Sequence, residues 1–269
     1  IYEEAGMPAG VFNMVIGYGN AVGEAIVNHN DVRAISFTGS NTVGQSLYVK
    51  AAGRGAKVTC EMGGKNAVIV LPDADLEKAA TAIQGGAFGS TGQRCTATSR
   101  IIASPKVKDE LLDRLTTKAK GMKIGSGLDE TIDMGPIVSE KQWKQNLDYI
   151  EIGKKEGATL VLGGERPQHL SQGYFIAPTI FDNVNPSMRI FREEIFGPVL
   201  SVATANDLQE ALNIANSVEY GLSTSIFTQD IDTIMRFVEE VEVGMIHINE
   251  PSVGGEAQLP FGGTKSTGI

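Results

Sequence analysis

Residues 67–103 read AVIVLPDADLEKAATAIQGGAFGSTGQRCTATSRIIA, and the order of residue types in that stretch decides the class of fold. An apolar, β-favouring run at 67–71 is followed by a turn, a helical run LEKAATAIQGGAF, a loop of small residues, and a second apolar run, RIIA, at 100–103. Strand, helix-length crossover and strand make a βαβ unit, which pairs its two strands parallel. The alternation extends in both directions. VFNMVI (11–16), AISF (34–37), VLSVA (199–203), STSIF (223–227) and MIHI (245–248) have strand character, with helical patterns between them. The expected class is therefore α/β with a largely parallel sheet. Ser104 before Pro105, Ser139 with Gln142, and Asn206 with Gln209 mark expected helix starts. Residues 121–138 and 163–173 read as long loops inside a domain.

With 269 residues, 42% hydrophobic and 20% charged, the chain has material for one large or two moderate domains with a real core. Two cysteines, Cys60 and Cys95, cannot make a disulfide framework. No cationic leader or long apolar stretch suggests secretion or a membrane span, so a reducing, cytoplasmic setting is expected. The formal charge of −9 comes from 23 Lys and Arg against 32 Asp and Glu, without a block of like charge. That balance speaks against a nucleic-acid face and for small-molecule chemistry.

Several segments have residue types suited to that chemistry. The strand AISF delivers Thr38-Gly39-Ser40 to a helix start, where exposed N–H groups and the helix dipole favour a pyrophosphate; a plain strand-to-helix turn reads equally well. GSNTVGQS (39–46) nearly matches a P-loop, but Gln45 stands where the phosphate-binding lysine belongs. GYGNAVG (17–23) is a loose dinucleotide-type match. In CEMGGKNAVIV (60–70), Glu61 ends a strand beside two glycines, where desolvation can make a carboxylate a useful base; the alternative is a solvent-facing glutamate or one paired with Lys65. Cys60 alternates to the opposite face and reads as a buried structural thiol. Cys95 lies in a small-residue loop open to a substrate carbonyl, with Arg94 as a candidate to raise its thiolate fraction; the competing reading is a core filler. A cysteine–histidine hydrolase would need His247, and no cluster has metal-ligand spacing. FREEIFGPVL (191–200) brings Glu193, Glu194 and an aromatic to a Gly197-Pro198 turn, suited to a ribose and a flat ring or simply to a charged helix end.

Taken in order, FTGSNTVG, EMGGK, GQRCT, EEIFGP and PFGGTKSTG resemble the NAD(P)-dependent aldehyde dehydrogenases at roughly the family's spacings. The resemblance runs from about residue 1 to the last residue. It implies a fold in which the tail of a Rossmann-type cofactor domain (1–62) precedes a mostly parallel α/β catalytic domain (63–269). It implies Cys95 as nucleophile and Glu61 as general base. Gly39, Ser40 and Gly44 would face the pyrophosphate of NAD or NADP, with Val43 on the adenine side, Glu194 on the nicotinamide ribose and Phe196 against the nicotinamide ring. A small-molecule aldehyde would be attacked to a thiohemiacetal, oxidised to a thioester, and released as the acid by water that Glu61 activates. NEPSVGGEAQLPFGG (249–263) is similar to the corresponding segment of semialdehyde dehydrogenases acting on carboxylated aldehydes such as α-ketoglutaric semialdehyde, with Arg94 or Arg100 as partner for the anionic end.

Family members are close to 500 residues long, and this chain matches their second half. The early βα units, the asparagine of the oxyanion hole and the projecting strands of the oligomer have no counterpart in it. The isolated chain is accordingly expected to bind cofactor poorly and turn over little, the full-length protein to be a homo-oligomer, and the final glycine-rich segment to end without a closing element. The opposing expectation is a dehydrogenase relic with a binding or structural role.

Overall fold

The computed structural model describes residues 1–269, which divide into two compact units, Ile1–Cys60 and Glu61–Ile269. In the first unit a π-helical turn, Gly19–Gly23, runs into α1 (Glu24–Asn28), and β1 (Ala34–Thr38) lies beside β2 (Lys57–Glu61) in a two-stranded sheet. Between those strands runs α2 (Asn41–Gly53). The expected strand at 11–16 does not form. Val11, Phe12, Met14, Val15 and Ile16 are exposed, and the only sheet of the unit is the β1–β2 pair. Strand propensity is a preference for a pleated, half-buried surface, and without a partner ladder the run stays irregular.

The second unit is built on a seven-stranded sheet in the order β10-β9-β3-β4-β7-β6-β5. Its strands are β3 (Asn66–Val70), β4 (Thr98–Ala103), β5 (Thr159–Leu162), β6 (Thr179–Asp182), β7 (Val199–Thr204), β9 (Ser223–Phe227) and β10 (Met245–Ile248). Every pairing is parallel except β5 with β6. The opening βαβ unit is β3, α3 (Leu76–Phe88) and β4, and β3 is buried along its whole length, which explains its unbroken apolar run.

Strand alternation divides the core between the two faces of the sheet. Ala67, Ile69, Ile102 and Ala203 point to one face, with Ile150 of α5 (Glu140–Lys155), Leu212 of α7 (Leu208–Asn216) and Phe237 of α8 (Ile231–Glu240). Val68, Val70, Ile101 and Val202 point to the other, with Ala80 and Ile83 of α3 and Leu111 and Leu115 of α4 (Lys108–Lys120). Asp75 caps α3 by accepting from the backbone N–H groups of Glu77 and Lys78, at 3.1 and 3.0 Å. Ser139 caps α5 by accepting from the N–H of Gln142. The cap of α7 is one residue later than expected: the Asp207 carboxylate accepts from the Glu210 N–H at 2.9 Å, while the Asn206 N–H donates back to Glu210. A carboxylate at that position also meets the positive helix end, which an amide cannot do as well.

The last segment belongs to a small two-stranded sheet separate from the seven-stranded one. β11 (Thr264–Lys265) pairs antiparallel with β8 (Tyr220–Gly221), and Gly268 bridges to Glu61. No helix is long and apolar enough to cross a membrane.

Candidate active site

Parallel strands put like ends together. The segments that enter β3, β4 and β7 are 61–65, 89–97 and 193–198, and these three strands are neighbours in the sheet. Glu61, Cys95, Glu194 and Phe196 therefore converge at one edge, the N-terminal ends of the strands.

Cys95 reaches that edge through an unusual turn. After α3 the chain takes three successive left-handed residues, Ser90 (φ 51°), Thr91 (φ 61°) and Gly92 (φ 64°). For non-glycine residues this conformation costs about 1–2 kcal/mol each. Side chains hold it in place: Thr91 donates to the Gly135 carbonyl at 3.1 Å, Gln93 donates to the Pro136 carbonyl, and Gln93 accepts from the Val138 N–H. A Cβ at Gly92 would lie 2.3 Å from the Gly197 carbonyl oxygen, so the nucleophile turn and the Phe196 turn touch at their glycines. Gly92→Ala is expected to destabilise the protein by about 3 kcal/mol, through overlap and positive φ together, lowering Tm by about 6–12 °C. Gly89→Ala, where nothing lies within 4 Å, should leave Tm nearly unchanged. A thermal melt of Gly92→Ala matching the native protein would show that the two turns do not meet.

The Cys95 turn is stapled to the sheet by Asn66, which the sequence reading passed over. Its buried amide donates to the carbonyls of Cys95 (2.7 Å) and Ala97 (2.9 Å) and accepts from the Ser223 N–H at the start of β9. Ser252, also buried, donates to the Thr96 carbonyl and shares a 2.8 Å hydrogen bond with Thr98. The sequence signal for Asn66 was a lone amide opening an otherwise apolar strand.

The thiol itself is half-buried and free, while Cys60 is fully buried with its thiol toward the Gly44 carbonyl. Burial pushes the Cys95 thiol above its usual 9.0, the N–H groups of Thr96 and Cys95 pull it down, and the Glu194 and Glu61 carboxylates push it further up. Both carboxylates thus share the electrostatic field of the sulfur. Arg94 is exposed and is not among the groups that move the thiol, so its expected activating role is not supported. His247 belongs to β10, three strands from β4, about 14 Å at ordinary strand spacing. The charged group that acts on His247 is Glu250, and His247 is not among the groups that move the Cys95 thiol, so no Cys95–His247 pair is supported.

Glu61 is fixed by the segment that closes the chain. The Met62 N–H donates to the Thr267 carbonyl at 2.8 Å, the buried Thr267 hydroxyl donates to the Gly63 carbonyl, and it accepts from the Gly221 N–H. One carboxylate oxygen of Glu61 is buried without a partner, and burial raises its pKa. Lys65 is not its partner, because the Lys65 ammonium is also buried and unpartnered.

Of the adjacent acids, Glu193 is structural: it accepts from Arg189 and from the Tyr149 hydroxyl. Glu194 turns inward and accepts from the Gly64 N–H at 2.9 Å. A Cβ at Gly63 would lie 2.3 Å from the Glu194 carboxylate, so glycine there is what admits it. Burial raises the Glu194 pKa, opposed by the Gly64 N–H and Lys65. Phe196 is held at φ 55° with an exposed ring, and Gln142 of α5 donates to the carbonyls of Ile195 and Phe196. A bulky residue in the left-handed region is rare, and here it aims an apolar ring outward from a fixed backbone.

Arg100 is not a substrate contact. It is 2% exposed, donates to the carbonyls of Lys65, Ile214 and Ala215, and stacks on Phe191. In the first unit, Ser40 precedes α2 in an extended conformation without capping it through its side chain, and Val43 is exposed on the first turn. Gly39 packs against the Phe37 ring, and Gly44 is buried.

A model of the aldehyde dehydrogenase family matches residues 1–269. Among curated proteins, an α-ketoglutaric semialdehyde dehydrogenase of Bacillus subtilis is 49% identical over 99% of this chain and 55% of its own length. A 2,5-dioxopentanoate dehydrogenase of Saccharolobus solfataricus is 47% identical over the whole chain and 56% of its own length. Among solved structures, an NAD-dependent aldehyde dehydrogenase from Sinorhizobium meliloti superposes with a TM-score of 0.97 at 38% identity, covering 100% of this chain and 53% of that one. Betaine aldehyde dehydrogenase from Staphylococcus aureus, in complex with NAD+, gives 0.95 at 37% identity, covering 99% and 53%. The chain spans about half the length of the curated relatives it matches.

Proposed function

The chain belongs to the aldehyde dehydrogenase family, whose model matches all 269 residues, and from that premise we propose that the full-length protein oxidises an aldehyde to the carboxylic acid through a covalent Cys95 intermediate, while residues 1–269 alone turn over little. The observation that carries the reading is the half-buried Cys95 thiol, presented on a braced turn in the field of two carboxylates with raised pKa values.

Cys95 Sγ adds to the aldehyde carbon, and the thiol proton leaves toward Glu61, the carboxylate whose basicity burial has raised. The carbonyl oxygen becomes the alkoxide of a thiohemiacetal, and the Cys95 N–H is the local donor for it. Loss of the carbonyl hydrogen with its electron pair leaves a thioester on Cys95. Glu61, once it has passed the thiol proton to bulk water, takes a proton from the attacking water as its oxygen adds to the thioester carbon; the C–S bond breaks, the acid departs, and that proton returns to the sulfur. A thiolate serves both steps because it is a good nucleophile and a good leaving group.

NAD or NADP, when bound, supplies the hydride acceptor that the oxidation requires. The residues present fit such a cofactor. The Gly63-Gly64 pair leaves room only for the Glu194 carboxylate, which we assign to the nicotinamide ribose, and the outward Phe196 ring gives a flat apolar surface for nicotinamide. The turn into α2 we assign to the pyrophosphate side, through Gly39 and Ser40, with Val43 on the adenine side and the buried Gly44 acting by close packing of the helix. Residues 1–62 are then the tail of a cofactor domain and 63–269 the catalytic domain. The NAD+ held by the S. aureus relative supports this assignment.

For substrate we propose an aldehyde that itself carries a carboxylate. The support is the agreement among three relatives named for α-ketoglutaric semialdehyde or 2,5-dioxopentanoate, at 49, 47 and 44% identity. Arg94, exposed and without an ion pair, is the remaining candidate for the anionic end. We place the protein in the cytoplasm, in keeping with two cysteines that form no disulfide, and as a homo-oligomer when full-length.

Iodoacetamide tests the site without turnover. Modification should fall on Cys95 and spare Cys60, with a rate that keeps climbing above the pH range of an ordinary thiol, because burial and both carboxylates raise the Cys95 thiol. Equal, slow labelling of both thiols would remove the nucleophile reading and favour a non-catalytic relic.

A further inference from the structure

Lys65 is the one cation of the site that the mechanism leaves unused. Its side chain is 2% exposed and its ammonium nitrogen is buried with no hydrogen-bond partner. Burying such a group without a partner costs several kcal/mol, and an apolar side chain would fill the space more cheaply.

Its surroundings show what the charge faces. The neighbouring Gly64 N–H anchors the Glu194 carboxylate at 2.9 Å, and Lys65 and Glu194 line the same small cavity of about 10 Å3, room for roughly one water. The other charged groups around Lys65 are Arg100 on β4 and Glu193 beside Glu194. Arg100 is committed to three carbonyls, and Glu193 to Arg189 and Tyr149. From β8, Tyr220 faces Glu194 as a phenol that burial and the nearby acids keep neutral. Glu194 is thus the acid without a cation of its own, and Lys65 is the cation without an acid.

We propose that Lys65 is a positioning residue, the buried counter-charge that keeps Glu194 ionised and so able to accept the hydroxyls of the nicotinamide ribose. This rests on the ribose reading of Glu194. A protonated carboxyl has lost one acceptor oxygen, so affinity for a diol falls as Glu194 takes up a proton. Burial and Arg100 pull the Lys65 ammonium down to about 7, while Glu194 and Glu193 hold it up; in return Lys65 lowers Glu194. The coupling is reciprocal, as linkage requires.

Two experiments test it. Nicotinamide cofactor affinity is titrated against pH in the native protein and in Lys65→Met. The acid limb of the profile should move up by about one pH unit in the variant, making binding about tenfold weaker on that limb and unchanged well above it. A loss of the same size at every pH would mean that Lys65 only supports the fold, and would overturn the proposal. The second experiment does not depend on Lys65→Met folding or on cofactor binding. In protein labelled at lysine Cε, the resonance titrating near neutrality should move down by about one pH unit in Glu194→Gln. An unmoved resonance would overturn the coupling itself. A moved resonance with cofactor affinity indifferent to both substitutions would keep the coupling and overturn the ribose reading.

Discussion

Replacing Cys95 by alanine is expected to lower aldehyde oxidation by a factor of at least about 10⁴, to the level of the uncatalysed reaction with cofactor. The size follows from the absence of a substitute. Cys60 is buried, with its thiol toward the Gly44 carbonyl, and the serines near the turn are engaged: Ser252 donates to the Thr96 carbonyl and Ser223 to the Ser252 carbonyl. Cys95→Ser keeps a nucleophilic atom in place but exchanges a thiolate for an alkoxide, which forms far less readily at neutral pH and leaves an ester poorly. It should therefore be nearly as inactive as alanine. The measurement is steady-state formation of reduced nicotinamide with a carboxylated aldehyde, paired with a thermal melt. Activity of Cys95→Ala within about tenfold of the native protein would dispose of covalent catalysis here. The melt should barely change, because the half-buried side chain fills little of the core; the backbone of the turn is held by Asn66, Thr91 and Gln93.

The βαβ run at 67–103 was legible because both strands are buried on both faces, so that periodicity and burial say the same thing. VFNMVI misled because the same residue types mark a strand only where a neighbouring ladder exists, and a single segment does not encode its neighbour. The displacement of the α7 cap from Asn206 to Asp207 is a contest between two adjacent capping residues that only geometry decides. Cys95, Glu61 and Glu194 stood out as reactive types beside glycines. Asn66, Thr267 and Lys65 did not, since their importance lies in groups 29, 204 and 129 residues away: the Cys95 carbonyl, the Gly63 carbonyl, and the Glu194 carboxylate. Arg100 shows the converse. An arginine at the end of a strand looks available in sequence and is wholly consumed by three carbonyls in the fold.

Glu61→Gln separates the two halves of the reaction and has the second-largest expected effect. The base is needed at each turnover to draw a proton from water, and glutamine offers no proton acceptor of comparable basicity while keeping nearly the same shape. Steady-state turnover should fall by about 10³-fold, or about 4 kcal/mol of transition-state stabilisation, within the usual range for a general base. Formation of the thioester should be hurt less, because the thiol proton can reach bulk water slowly and only once per acylation. The expected signature is a burst of reduced nicotinamide approaching one equivalent per Cys95, followed by a slow phase, with the acyl group detectable on Cys95 by intact mass. In the native protein the rate of thioester hydrolysis should rise with pH through the raised Glu61 pKa and then level, since the carboxylate form is the base; in Glu61→Gln that inflection should vanish. Thr267→Val gives a milder version of the same defect. It removes the hydroxyl that donates to the Gly63 carbonyl and accepts from the Gly221 N–H, loosening the backbone that carries Glu61 without touching the carboxylate. Hydrolysis should then slow while its pH inflection persists. A Glu61→Gln variant that lost burst and steady state in equal measure would confine Glu61 to taking the thiol proton, and would leave the water-activating role to another group.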